Sequence, residues 1–394
     1  MTRKSTRTLR PDVDLARPIA TYADRLHRAL GGTHHVVSPL GVWLVLALAG
    51  TAATRAETQA RMADVLGLDP RDAAGATRAL VDAAPAELRL AVGAWVADAA
   101  RDGANPAAYD VWSRSLPRSA GTGPIPPQAE LDAWADEHTG GMIPRFPAEV
   151  PPTTSVLLAS AVMTRISWAE PFTAVPAAEL GGAWAGTVAR VLRSPEEHPV
   201  GAVDVDGERY AVHRAASSGD MTVLSVVAER EDAVPADVVA AAHTVALGGG
   251  TDVPLAELPL GDGPVWSVVE EDGFGGDSTD ALLPAWATDT EVNLQQVPSG
   301  VDAAFAALAD LLPTAPTDRT GAVQKCVARY SREGFEAAAV TALMRAAGGM
   351  SARGRVRHGT ARFARPYAVV ATVRTTAGPL PAFSGWITEP VEAD

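Results

Sequence analysis

Cysteine is almost missing from this chain: Cys326 stands alone among 394 residues. One cysteine excludes an internal disulfide and any metal site built on cysteines. Its ordinary role is that of a small buried hydrophobe. Lysine is nearly as scarce. Only Lys4 and Lys325 occur, neither preceded by a glycine-rich loop, so a phosphate-cradling P-loop is excluded. No His-Glu-x-x-His occurs among the eight histidines, and His34-His35 has no nearby ligand at metal spacing. Gly349-Met350-Ser351-Ala352-Arg353 lacks the closing glycine of a nucleophile elbow and follows no strand. Asp136 and His138 stand two apart, on different faces of a helix. Long apolar runs are missing too. Val42 to Ala49 is too short to cross a bilayer, and the first thirty residues hold no signal-peptide core. These absences point away from an enzyme: no catalytic constellation, no cofactor and no metal are expected. A cytoplasmic location is expected, with an extracellular one left open.

What is present is acidic and apolar. A formal charge of −14 opposes general binding to nucleic acid or an anionic membrane. The exception is local: Arg345, Arg353, Arg355, Arg357, Arg362 and Arg365 occur within one stretch that holds no acid. Such a run is either a solvated loop and strand edge, or a lure for an acidic partner or a protease that cuts after arginine. Apolar residues make up 47% of the chain and charged residues 20%, enough for a large core. The 31 arginines against two lysines suggest a genome rich in G and C.

The periodicities place helices first and strands later. Leu15, Ile19, Tyr22 and Leu26 share one face of a helix over 13–30. Ser38 is a good N-cap and Pro39 suits the first position of a helix over 38–50. Thr54-x-x-Glu57 reads as a capping box for a helix over 54–67 that stops at Gly67. Residues 129–138 and the stretch opening at Val301 also read as helices. Leu88–Val96 and 155–164 read as buried strands, the latter in the middle of a large sheet. Short strand-like runs dominate from about 184 to 297, and Tyr367–Thr372 and Phe383–Ile387 close the series. This order predicts an α+β fold. No linker divides it, so one domain is expected over 12–391, after a tail at 1–11. Two glycine-rich stretches, 121–127 and 248–276, read as loops.

One segment has conflicting propensities. In Arg332-Glu333-Gly334-Phe335-Glu336-Ala337-Ala338-Ala339-Val340-Thr341 the alanines favour a helix that Gly348-Gly349 would stop. Gly334 equally gives a hinge, and small side chains from Ala337 to Ala339 could slide between packed strands. The segment resembles the reactive-loop hinge of the serpins, which typically reads Glu-x-Gly-Thr-Glu-Ala-Ala-Ala-x-Thr. Further likenesses recur in the family's order over roughly 12–391. They are Ser38-Pro39 with its apolar helix, Trp134 with Thr139-Gly140-Gly141-Met142-Ile143, Trp168-Ala169-Glu170-Pro171-Phe172, Leu282-Leu283-Pro284-Ala285-Trp286, Phe363-Ala364-Arg365-Pro366-Tyr367 and Phe383-Ser384-Gly385-Trp386-Ile387. The chain resembles a divergent, prokaryote-type intracellular serpin.

The resemblance implies eight or nine helices around three β-sheets, with an exposed reactive-centre loop at about 333–360. It implies a monomeric suicide substrate of a serine or cysteine protease, whose cleaved loop inserts into the central sheet and traps the acyl-enzyme. Counting forward from the hinge puts the scissile bond near Gly348-Gly349, with Met350, Arg353 and Arg355 as alternatives. Ser38 matches the family's shutter serine. Ser160 and Gln324 stand where Asn and His are usual, and Trp168 matches the breach tryptophan. Inhibitory members usually carry Thr or Ser where Phe335 stands. Phe335 and Arg345 on the inserting face therefore leave a second reading: a non-inhibitory scaffold or binding protein whose loop stays out. The ring of Phe335 is then either a brake on insertion or a plug already packed in the sheet.

Overall fold

The computed structural model describes residues 14–274, 276–312, 321–335 and 353–393. Leu15, Ile19, Tyr22 and Leu26 are all buried along helix α1 (Ala16–Leu30). Ser38 caps α2 (Pro39–Gly50): its hydroxyl accepts from the Gly41 N–H at 3.1 Å. Helix α3 (Ala56–Leu66) stops at Gly67, whose φ of 67° suits a residue without Cβ. Its start differs from the capping box read in the sequence. Asp310 of α9 (Val301–Leu311) accepts from the N–H groups of Thr54 and Arg55 at 2.9 and 3.0 Å, and also pairs with the Arg55 side chain. A carboxylate already held by a guanidinium outcompetes a threonine hydroxyl for those donors.

Helix α7 (Gln128–His138) lies where expected. Four further helices were not read from the sequence: α4 (Pro70–Asp82), α5 (Asp98–Asp102), α6 (Pro106–Ser115) and α8 (Pro235–Ala246). The last interrupts the run of strands that dominates 184–297. Val238, Val239, Ala242 and Val245 of α8 pack against Val370 and Trp386.

Three layers of sheet carry these helices. A seven-stranded sheet has the order β1 (His35–Val37), β20 (Gly378–Ile387), β19 (Tyr367–Thr375), β10 (Met221–Ala228), β9 (Glu208–Ala216), β8 (Val200–Val205), β11 (Thr251–Val253). A six-stranded sheet has the order β12 (Gly261–Asp262), β13 (Trp266–Phe274), β18 (Arg353–Arg362), β14 (Ser278–Leu283), β7 (Arg190–Arg193), β6 (Thr173–Pro176). The third layer comes in two halves. One is β15 (Trp286–Asn293), β16 (Val323–Tyr330), β17 (Gly334–Phe335) and β5 (Ile166–Ser167). The other is β3 (Gly121–Gly123), β2 (Arg89–Val96) and β4 (Val156–Met163). Among the described residues no helix is long and apolar enough to cross a membrane.

Between α1, β1 and β20 lies a buried polar chain with a fixed direction. His35 Nδ1 faces the Thr33 carbonyl at 2.8 Å and must donate to it. That leaves His35 Nε2 to accept from His27 Nδ1 at 2.9 Å, and His27 Nε2 to accept from the Ser384 hydroxyl at 2.8 Å. Burial, reinforced by His35 and His243 nearby, pushes His27 well below the ordinary histidine range. Unfolded, His27 takes a proton near its ordinary value of 6.5; folded, it refuses one. Stability is therefore full above about pH 6.5 and falls as the pH drops below it, by up to about 1.4 kcal/mol per pH unit for this one group. Chemical denaturation at pH 7.5 and 5.5 is expected to show a shallower loss in His27→Gln than in the wild type; equal slopes would remove His27 from the account.

Candidate functional site

The two halves of the third layer face each other across a slot. Strand β4 pairs with β2 along its full length, and β16 pairs with β15 along its full length. Among the described residues, the opposite edge of β4 meets no strand and that of β16 meets only β17 at the top, where β17 also pairs with β5, the short strand that follows β4. Between those edges lies a cavity of about 600 Å³. Its faces are closed by Val42 and Leu46 of α2 with Phe305 of α9, and by Trp134 of α7 with Phe146. Strand periodicity divides β4 between them. Ala159 packs with Trp95 and Leu131 on the α7 side, while Ser160 turns toward α2.

The segment read as a hinge closes the slot's mouth. A tight turn brings the Ser331 N–H to the Gly334 carbonyl at 3.0 Å. Gly334 and Phe335 then lie antiparallel to both neighbours: Phe335 opposite Tyr330 of β16 on one side and Ile166 of β5 on the other. Because β17 is antiparallel to both, β16 and β5 run parallel. Phe335 is 2% exposed. Its ring lies 6.1 Å from those of Trp286 and Phe383, so it packs as a plug. Glu333 pairs with Arg332 at the surface. Residues Glu336, Ala337, Ala338, Ala339, Val340 and Thr341, with Arg345, Gly348, Gly349 and Met350, lie outside the described residues.

Midway down, the helix α2 N-terminus bridges the slot. Gln324 of β16 grips Ser38 twice, its Oε1 accepting from the Ser38 N–H at 3.2 Å and its Nε2 donating to the Ser38 carbonyl at 2.8 Å. From the other wall Ser160 donates to the Gly41 carbonyl at 2.7 Å. The Ser38 hydroxyl donates to the Ala382 carbonyl of β20 at 2.8 Å. Ser38, Ser160 and Gln324 thus belong to one arrangement, but through main-chain groups of α2 and not side chain to side chain. Gly41 is closely packed there. A Cβ would sit within 3.2–3.3 Å of Val162, Ser160 and Ser38.

Above the slot, Trp168 holds the turn. Its indole N–H donates to the Ser331 carbonyl at 3.0 Å, and its main-chain N–H donates to the Glu333 carbonyl at 3.1 Å. The Phe172 N–H reaches the Arg332 carbonyl at 3.1 Å. The rings of Trp168 and Phe172 lie 4.9 and 5.6 Å from Tyr330. Behind Phe172 sit two buried histidines, His198 and His213, with Nδ1 and Nε2 facing at 3.2 Å. Burial pushes His198 down to about 4 and His213 well below the ordinary range.

No family profile and no curated protein sequence matches this chain. Solved structures do. Human thyroxine-binding globulin, complexed with thyroxine, superposes with a TM-score of 0.65 at 15% identity, covering 96% of this chain and 99% of its own. Tengpin, a thermophilic serpin in its native state, gives 0.65 at 13% identity, covering 96% and 95%. The chain has the serpin fold. Mouse protein-Z-dependent protease inhibitor, at a TM-score of 0.62 and 13% identity over 96% and 97%, shares it. Serpin-fold proteins thus include one named for inhibiting a protease and one named for binding thyroxine.

In this serpin fold the chain after β17 returns as β18, inside the six-stranded sheet. Arg353 pairs with Phe274, Arg355 with Asp272 and Arg357 with Glu270 in the β13 ladder. The side chains of Arg355 and Arg357 both reach Glu270, and the Arg357 guanidinium holds that carboxyl below the ordinary range. Arg362 pairs with Asp262. Arg355, Arg357 and Arg362 therefore lace strands together. Sequence reasoning missed His198, His213 and Tyr330, which stand at no motif spacing; only the β8–β9 register, Val200 opposite His213, brings the two histidines together.

Phe335→Thr removes a ring packed against Trp286 and Phe383. It is expected to lower the stability of the uncleaved protein by about 3 kcal/mol. Denaturation midpoints of the two forms check this, and an unchanged midpoint would put the ring in solvent.

Proposed function

We propose that this protein, as a single domain over 12–391, is a suicide-substrate inhibitor of a serine or cysteine protease. The observation that carries the reading is the slot, whose parallel walls already hold β17 antiparallel between them at the top. In this reading the protease nucleophile attacks a carbonyl in the loop between β17 and β18. The peptide nitrogen leaves with a proton, and the N-terminal part of the loop stays esterified or thioesterified to the enzyme. The freed strand then fills the slot and carries the acyl-enzyme with it before water can release it.

The hinge register sets how the strand would travel. Phe335 opposes Tyr330 and Ile166. Continued antiparallel, Ala337 would meet Ala328 and Thr164, Ala339 would meet Cys326 and Val162, and Thr341 would meet Gln324 and Ser160. Alternate residues face the α2 side, so small side chains fall at successive inward positions. A hydroxyl falls where Gln324 and Ser160 can take it. For the scissile bond, the reading favours Gly348, Gly349 or Met350. Arg353 and Arg355 are engaged in the β13 ladder, and a protease cleft needs an extended segment that is free to pair.

A second reading rests on Phe335. A plug already seated at the mouth suits a scaffold whose loop goes no further, with the arginine-bearing strand serving recognition. Cutting the loop with a panel of proteases separates the two. Insertion adds a strand to the sheet and is expected to raise the melting temperature by tens of degrees, whereas a scaffold gains nothing. Ala339→Arg puts a charge on the inserting face. It is expected to remain folded and cleavable while losing the covalent complex on denaturing gels; undiminished complex would refute insertion.

A further inference from the structure

The pair His198–His213 packs behind Phe172, the residue that ties β6's approach to the hinge turn, and nothing in the proposed inhibition uses it. His198 lies in the turn between β7 and β8, and His213 lies in β9. They are 2% and 0% exposed. The Phe172 ring lies 5.0 Å from His198 and 5.5 Å from His213, and Trp168 lies 6.4 Å from His198. Phe172 and Trp168 are the same residues whose N–H groups hold Arg332, Ser331 and Glu333. A path of direct contacts therefore runs from the imidazole pair to the hinge.

We infer that His198 and His213 form an acid-released latch on the hinge: neutral, they back Phe172 and Trp168 against the turn 331–334, and protonated, they loosen that support and free Gly334–Phe335 from the top of the sheet. At 3.2 Å the facing nitrogens share one proton, one donating and the other accepting. A first added proton leaves this bond intact but puts a charge among buried rings. A second makes both facing nitrogens donors and breaks it. His213 Nδ1 has no partner to offset either step.

The surroundings set the order. Glu197, beside His198, and the Glu170 main chain favour its charged form, so His198 is the first to protonate. Arg214, beside His213, opposes a second charge there. Beyond Phe172 lies Tyr330, 5.6 Å from its ring, whose hydroxyl has no partner among the described residues and whose phenol burial keeps neutral. Closed, His198 resists protonation down to about 4; opened to water, it titrates near its ordinary value of 6.5. Between those limits acid favours the open form by up to about tenfold per pH unit for each group.

Only the consequence rests on the inhibitor reading: a freed hinge lengthens the loop and unblocks the slot. The latch itself is tested without any protease. Amide hydrogen exchange is measured from pH 7 to 5, each rate divided by its intrinsic value at that pH, at Trp168, Phe172 and Ser331. Protection there is expected to fall about tenfold or more, while Thr290 and Cys326 in the β15–β16 ladder keep theirs. In His198→Gln/His213→Gln, or in His198→Gln alone if the double variant does not fold, protection at the three amides is expected to stay within twofold across the range. Constant protection in the wild type, or a fall that persists in the variant, overturns the latch. So does a variant already unprotected at pH 7, which would make the pair a packing element only. Failure to form a protease complex would count against the inhibitor reading and leave these amides untouched.

Discussion

Two strand edges that face each other, with no described strand between them below the top, govern the molecule. Backbone N–H and C=O groups in a sheet interior demand partners, and an open edge invites any extended segment to supply them. Here the edges belong to β4 and β16, and the gap between them is about 600 Å³. Protein interiors pack nearly as densely as organic crystals, with few voids larger than a water molecule. A slot of that size is therefore a departure the rest of the fold has to hold in place. It does so at two points: the turn 331–334 with Phe335 at the top, and the α2 N-terminus, gripped by Gln324 and Ser160, midway down.

These two fastenings differ in kind. The upper one is mostly apolar: Phe335 among Trp286 and Phe383, and Trp168 and Phe172 against Tyr330. It gains mainly by excluding water, with three hydrogen bonds from Trp168 and Phe172 fixing the turn. The middle one is polar and directional. It uses main-chain groups of α2, so its partners can be side chains of different kinds, provided they donate or accept at the right height. That explains how Gln324 and Ser160 serve at positions where the serpins usually carry other polar residues.

Much of this was legible in the sequence where one local rule decided the outcome. Ser38 and Pro39 opened α2 as their types predict, Gly67 ended α3, and the apolar run at 155–164 became β4. Three missed helices carried a signal of the same sort. Pro70, Pro106 and Pro235 each occupy the first helical turn, and Asp69 and Asn105 cap the first two with side-chain bonds. What could not be read locally depends on chain crossings. Asp310 displaced the Thr54 capping box from a helix some 250 residues away, and His198 met His213 only through strand register. Phe335 was legible as a misfit to the family's pattern; that its ring packs with Trp286 and Phe383 required the fold.

The return strand β18 has a further bearing on what the molecule is after a cut. It lies between β13 and β14 in one sheet, and the chain continues through the buried Phe363 and Tyr367 into β19 and β20, near one end of another. Everything downstream of the loop is thus knitted into two sheets by ladders and by ion pairs to Glu270 and Asp262. A molecule nicked between β17 and β18 would be two polypeptides behaving as one particle. Its smaller piece would separate under denaturant and stay bound through dilution or size-exclusion chromatography.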